Sequence, residues 1–444
     1  MPTNRYAWPK EARARLGRLK KALSPGRLSL LRMIAEQAAS MGMSLYIVGG
    51  FVRDLLLNRP SQDFDLVVEG DAVALAHALQ SRYGGRLTVH ARFRTAKWHL
   101  TSADPAGRNS SSFLDLITAR RESYAQPGAL PRVQMGGIED DLSRRDFTIN
   151  TLALRLDRDH FGELLDKMGG LVDLNRGWIR VLHPGSYRDD PTRILRAVRY
   201  EQRYGFRVST TDRKSIASAR YLLEKLSADR IRHELNSILA EQNASKMLDR
   251  LEEFGVLTAI HPALRWNADM RRAIRENRDE PLPAAWGSIP NGTRLPRDVA
   301  LGYLMWLMQL PQDQIRVLDS RLHFPAGLRE CLLEASDLWR ELADLQGAKP
   351  SRISSRLDGV PLLAVYAVFL AAHPPEKKLL DSYGTTWRYI KPRTTGNDLL
   401  ARGLAAGPVF QTILYTLRSA WLDGRVGTPE EESALLDRLI QELP

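Results

Sequence analysis

Two different hydrophobic periods divide this chain. Up to about residue 155, short runs with β-branched or alternating apolar residues predict strands at "LYIV" (45–48), "DFDLVV" (63–68), "RLTVH" (86–90), "KWHL" (97–100) and "FLDLIT" (113–118). Between them "FVRDLLL" (51–57) and "DAVALAHALQSRY" (71–83) place apolar residues three and four apart and predict helices. The turn-rich "SADPAGRNSSS" (102–112) predicts an exposed hairpin loop. After about residue 186 the strand pattern stops, and "PTRILRAVRYEQRYGF" and "SADRIRHELNSILAE" keep helical spacing. The proline-rich stretch 277–298 predicts a linker or long loop between two helical portions. The pattern therefore predicts a small α/β head followed by a long all-α extension.

Composition narrows the class. At 444 residues the chain exceeds one ordinary core, and no apolar run is long enough to span a bilayer. The N-terminus is basic and lacks the apolar stretch of a signal peptide, so a cytoplasmic protein with no membrane partner is expected. One cysteine, Cys331, excludes an intramolecular disulfide framework and a cysteine-rich zinc site, and reads as a small buried hydrophobe. The nine histidines lie singly, without metal-ligand spacing. A formal charge of +12 and an isoelectric point near 9.8 point to nucleic acid or a nucleotide polyphosphate as the partner. An arginine-favouring proteome gives the same excess, but without foci.

The charge has foci. Residues two apart on a strand share a face, so Asp63 and Asp65 are expected to project together from "DFDLVV". Their repulsion is relieved by a divalent cation, a pairing suited to phosphoryl or nucleotidyl transfer. The competing reading is an exposed edge strand on which Asp-x-Asp arose by chance. Upstream, Gly49 and Gly50 stand between a strand and a helix, where absent side chains let backbone N–H groups approach an anion, and Arg53 lies one turn on. Downstream, Asp190 followed by Pro191 reads as a helix start. Asp190 and Arg193, three apart, pair an acceptor with a donor, which suits the base edge of C or A rather than U or G.

"VGGFVRDLLLNRPSQDFDLVVEG", "RRDFTINTLAL" and "DDPTRILRAVRY" together resemble the class II nucleotidyltransferases, which include bacterial tRNA CCA-adding enzymes and poly(A) polymerases. The likeness is dense from about residue 45 to 240 and returns in the tail "TTGNDLLARGLAAGPVFQTILYTLRSAWLDGRVGTPEE". It implies an α+β fold: a polymerase-β-like nucleotidyltransferase head, then an all-α neck, body and tail. The implied divisions are a basic helical N-terminal extension (1–40), the head (41–160), a neck with a nucleotide-selecting template (161–255), a body (256–345) and a tRNA-binding tail (346–444).

By the same resemblance Asp63 and Asp65 hold Mg²⁺, and Gly49, Gly50 and Arg53 hold the incoming triphosphate. Asp115 stands between a third carboxylate and an ordinary edge-strand acid. Arg144, Arg145, Asp146 and Asn150 are implied for sugar and phosphate, with Asp146 at the ribose; the bland reading of Asp146 is a helix start. Asp190 and Arg193 are implied as the template that selects CTP and ATP. Arg196 and Arg199 continue the ridge, supporting the template, contacting phosphate or forming a solvated face. The segment 120–141 corresponds to the family's flexible loop and looks undeleted, which favours an enzyme able to add A. Departures are Asp189 for Glu, Thr151 for Ala, and Arg94 for Gly. The implied activity is addition of CCA to the 3′ end of tRNA with no protein partner required. The alternatives are CC-only, A-only or poly(A) addition, or a non-catalytic tRNA-binding protein.

Overall fold

The computed structural model describes residues 17, 19–59, 64–100, 113–123, 132–157 and 160–443. Two compact units make up the chain, residues 1–226 and 227–444. The expected hairpin loop at 102–112, and Asp63 itself, lie outside the described residues.

In the first unit, helix α1 (Pro25–Ser40) precedes strand β1 (Ser44–Val48), helix α2 (Gly50–Leu56), strand β2 (Asp65–Glu69) and helix α3 (Ala72–Tyr83). Strands β3 (Arg86–His90), β4 (Thr95–His99) and β5 (Phe113–Thr118) follow, then a separate hairpin of β6 (Arg120–Ser123) and β7 (Arg132–Met135). Helix α4 (Ile138–Ser143) leads to β8 (Ala153–Arg155) and β9 (Leu164–Leu165). The main sheet has the order β3-β4-β5-β2-β1-β8-β9; β2 and β5 run parallel and its other neighbours antiparallel.

The alternation seen in the sequence is what gives this sheet two covered faces. Ile47, Leu66 and Val68 are fully buried on one side, while Tyr46, Val48, Val67 and Ala153 pack with Ile138 and Leu142 of α4 on the other. Each fully buried aliphatic side chain of this kind contributes about 1.5–3 kcal/mol. Asp65 occupies the first position of β2 on the α4 side, where the cluster gives way to an open cleft. Helix α1 is part of this unit rather than a free extension: Leu30, Leu31, Ile34 and Ala38 are buried against the sheet and α3.

Beyond β9, helix α5 (Gly170–Arg176) and β10 (Trp178–Ile179) lead to α6 (Ser186–Asp189) and α7 (Thr192–Tyr204). The expectation of no strand past residue 186 needs one correction. β11 (Arg207–Val208) pairs in parallel with β10, and its two residues are too short to leave a period in the sequence. α7 stops at Gly205, whose φ of +69° takes the left-handed turn that favours glycine.

The second unit is helical throughout its described length. The helices at Arg297–Leu307, from Val299 on, and at Leu362–Ala371, from Leu363 on, are buried on all sides, and their predominantly apolar sequence is the reason. The proline-rich stretch before Arg297 is a long loop, as expected, but a pinned one. Trp286 is fully buried, with its ring centroid 5.0 Å from Tyr366 and 4.9 Å from Phe369, and its Nε1 donates to Asp381. Near the C-terminus, Glu432 is buried and accepts from the backbone of Arg393 and Thr394 and from Trp421, which offsets the cost of its burial. Cys331 is buried, as its apolar surroundings suggested. Residues 161–226 of the expected neck belong to the first unit and 227–255 to the second.

Candidate functional site

A cleft of about 370 Å³ opens at the end of β2, lined by Gly50, Phe64, Asp65, Lys97, Phe113 and Asp115 among others. Register builds it. Asp65 pairs with Asp115 across the parallel β2–β5 ladder, and Lys97 pairs with Asp115 across the antiparallel β4–β5 ladder. Cross-strand partners share a face, so the three side chains form one transverse row. Asp115, left open between two readings, is thus the nearest acid in register with Asp65.

Partial desolvation at the cleft raises the Asp65 pKa; Arg145 pulls it back and the Asp115 carboxylate pushes it further up. Two hard oxygen donors that resist sharing an unneutralised site fit a divalent cation such as Mg²⁺. Among the described residues no group of three or more His, Cys, Asp or Glu side chains could hold a metal. The pair Asp65 and Asp115 is therefore the donor set on view.

Gly50 lines the cleft and Gly49 precedes it in the β1–α2 turn. Gly49 has φ +73° and ψ −130°, a conformation that side chains rarely adopt, and its N–H donates to the Leu152 carbonyl. A Cβ at Gly49 would lie 2.6 Å from Nη1 of Arg145, so the missing side chain is what admits that guanidinium. Arg145 also binds Asp141 at 2.9 Å, and its Nε is buried without a hydrogen-bond partner. Asp141 is fully buried between Arg145 and Arg144, with Arg144 at 2.7 Å; the two guanidinium charges outweigh burial and hold its carboxyl below the usual range. Arg144 further binds Glu122 of β6 at 3.0 Å.

Arg53 departs from its expected reach to a bound anion. It is 3% exposed; Nε and Nη2 bind Asp54, Nη1 donates to Asn150 Oδ1 at 2.5 Å, and the guanidinium lies 4.5 Å from the Tyr204 ring centroid. Asn150 passes the connection on, donating to Asp146 Oδ1 at 2.8 Å. Asp146 is buried and accepts two bonds from Arg196 on Oδ2, at 2.9 and 2.6 Å. Burial alone would raise its pKa, but Arg196 and Asn150 prevail and hold it below the usual carboxylate range. The solvated-face reading of Arg196 is thereby corrected: it spends its charge on a carboxylate 50 residues away in sequence. Arg199 stacks its guanidinium 5.2 Å from the Tyr200 ring centroid.

The Asp190–Pro191 helix start appears with its boundary one residue later. Asp190 is extended, and its Oδ1 accepts from the backbone N–H and the hydroxyl of Thr192, at 3.0 and 2.6 Å. Arg193 turns inward, 6% exposed, bonded through Nη1 to Ser186 and through Nη2 to the Arg144 carbonyl at 2.9 Å. Those bonds use two of the five N–H groups of the guanidinium. The α6–α7 corner is thus tied to the arginine segment at 144–145.

Sequence reading missed Lys97, Arg27 and Asp141. Arg27 of α1 lines the cleft, buried, 5.5 Å from the Phe64 ring centroid. The only signal for Asp141 was its place before two arginines. Arg94 sits at φ +49° with ψ +48°, where glycine is favoured, so the glycine of the resemblance is what this backbone position asks for. The expected flexible loop, 120–141, begins in β6, includes β7 and ends in the first turn of α4; residues 124–131 lie outside the described residues.

Comparison with known proteins gives a consistent picture. The family described as poly A polymerase head domain matches residues 45–180, and that described as probable RNA and SrmB-binding site of polymerase A matches residues 205–267. The chain is 31% identical to an A-adding tRNA nucleotidyltransferase of Halalkalibacterium halodurans, over 93% of this chain and 92% of that protein. It is 32% identical to an A-adding tRNA nucleotidyltransferase of Geobacter sulfurreducens over 93% of its own length, but spans 47% of that longer protein. The solved structure of a CCA-adding enzyme in an apo form superposes with a TM-score of 0.82 at 30% identity, covering 96% of this chain and 98% of the other.

Proposed function

We propose that this chain, which belongs to the class II tRNA nucleotidyltransferase family, adds CCA to the 3′ end of tRNA from CTP and ATP. The observation that carries the reading is the Asp65–Asp115 register in a cleft that Gly50 also lines, with Arg145 packed against the neighbouring Gly49. In this reading the tRNA 3′-OH attacks the α-phosphate and pyrophosphate leaves. Asp65 and Asp115, with Asp63, would hold Mg²⁺, which when bound neutralises charge on the phosphates and lowers the pKa of the attacking hydroxyl.

The chain's own residues divide the remaining work. The Gly49–Gly50 turn brings backbone and the Arg145 guanidinium up to the triphosphate. Arg53 braces that turn through Asn150, and Asp146 fixes Asn150 and Arg196 beside the sugar. Asp190 accepts from the exocyclic amino group of C or A while Arg193, held by Ser186 and the Arg144 carbonyl, offers its remaining N–H groups to the ring. A network already held by internal bonds before the nucleotide arrives spends little on reorganisation when it binds.

A second reading, addition of the terminal A alone, is favoured by the two A-adding relatives that match 93% of the chain. Purified protein, Mg²⁺ and tRNA transcripts ending before CCA, after C and after CC, each offered single nucleotides and all four, separate the readings at single-nucleotide resolution. CCA followed by a stop on all three transcripts supports the first. Addition to the CC-ended transcript alone supports the second. An Asp65→Asn variant is expected to lose at least about 100-fold in rate while still binding tRNA; retained activity would remove Asp65 from the chemistry.

A further inference from the structure

The transverse row that defines the site ends in a cation. Lys97 Nζ lies 3.6 Å from Asp115 Oδ1, on the side of Asp115 away from Asp65. It also sits 3.9 Å from the centroid of the Phe113 ring, which holds the ammonium over an aromatic face. The Lys97 and Asp115 side chains are 33% and 36% exposed, so both remain open to the cleft. One carboxylate of the pair therefore comes with a contact ion pair, whereas Asp65 makes no ion pair with a described residue and feels Arg145 only at longer range.

We propose that Lys97 is a positioning residue, the resident counter-ion of Asp115, which competes with a divalent cation for that carboxylate and biases the cation toward Asp65. The proposal rests on the reading above for what the cation accomplishes, but not for whether it binds. An ammonium and a metal ion satisfy the same oxygen lone pairs, and each reduces the gain from adding the other. In the resting site Lys97 keeps Asp115 aligned in the row. Removing the ammonium while keeping an apolar stem over Phe113 leaves Asp115 available to the cation alone.

The test is a titration of the full chain with Mn²⁺, with free ion read by electron paramagnetic resonance and neither nucleotide nor RNA present. Lys97→Met is expected to bind Mn²⁺ about two- to fivefold more tightly than the unmodified chain, the range for a half-exposed ion pair. Lys97→Arg, which keeps the charge, should restore the original affinity. The gain should vanish in an Asp115→Asn background. Unchanged or weaker binding in Lys97→Met, a gain that persists without the Asp115 carboxylate, or no Mn²⁺ binding in any form would each overturn the proposal. Lys97→Gln repeats the comparison if the methionine variant does not fold. A chain that shows the expected affinities yet adds no nucleotide would support the counter-ion role and sink the transferase reading alone.

Discussion

Asp146 shows how much of a fold's stability can rest on a single side chain. Its carboxylate is buried, doubly bonded to Arg196 and bonded to Asn150, so Asp146→Asn removes the negative charge from a largely buried ion pair. Breaking such a pair from one side is expected to cost about 3 kcal/mol, measurable by chemical denaturation. The pH dependence follows from the depressed pKa in the fold. An acid with a lowered folded pKa contributes fully above its unfolded value of about 4, and loses that contribution as pH falls through the folded one. The gap between the two proteins should hold steady from about pH 6 to 8 and narrow below about pH 4. A gap that widens on acidification would contradict the assignment. At this scale the sequence was a partial guide. Asp146, Asn150 and Arg196 were all singled out, but as independent candidates for sugar, phosphate or solvent, because their mutual contacts join residues from separate segments.

Among the elements, the β1–α2 turn is the one most exposed to substitution. Gly49→Ala introduces a side chain at φ +73°, which costs about 1–2 kcal/mol, and places its Cβ 2.6 Å from Arg145. The guanidinium must move, so the variant is expected to lose both melting temperature and apparent affinity for nucleotide. Gly84→Ala is the control: φ is +78° but no atom lies within 4 Å of the added carbon. It should lose a similar amount of stability and leave nucleotide affinity unchanged; equal nucleotide effects in both would show that backbone strain alone matters. Element types were legible because periods of two and of three to four residues survive in the sequence. The strand at residues 86–90 was placed to the residue, whereas "DFDLVV" begins its ladder at Asp65, two residues late. Lys97 was invisible as a site residue, since nothing in "KWHL" states which residue of another strand it will face.

The whole molecule carries +12 charges over two compact units, and under the proposed function that excess is the long-range term in binding tRNA. Each phosphate neutralised releases counterions, so tRNA affinity is expected to fall about tenfold or more between about 50 and 200 mM salt, as followed by fluorescence anisotropy. Affinity that ignores salt would mean the charge is not turned toward the nucleic acid. By itself the sequence determined the element types, the switch from a mixed head to a helical remainder, the basic character and, through its ordered motifs, the family. These depend on local periodicity and on motif order, which are written along the chain. Only the tertiary structure decided that Asp115 and Lys97 stand in one row with Asp65, that Arg53 is spent on Asn150 and Asp54, and that Arg196 belongs to Asp146. Register between strands and the partner of a buried charge are set by packing among residues distant in sequence, and local periodicity does not encode them.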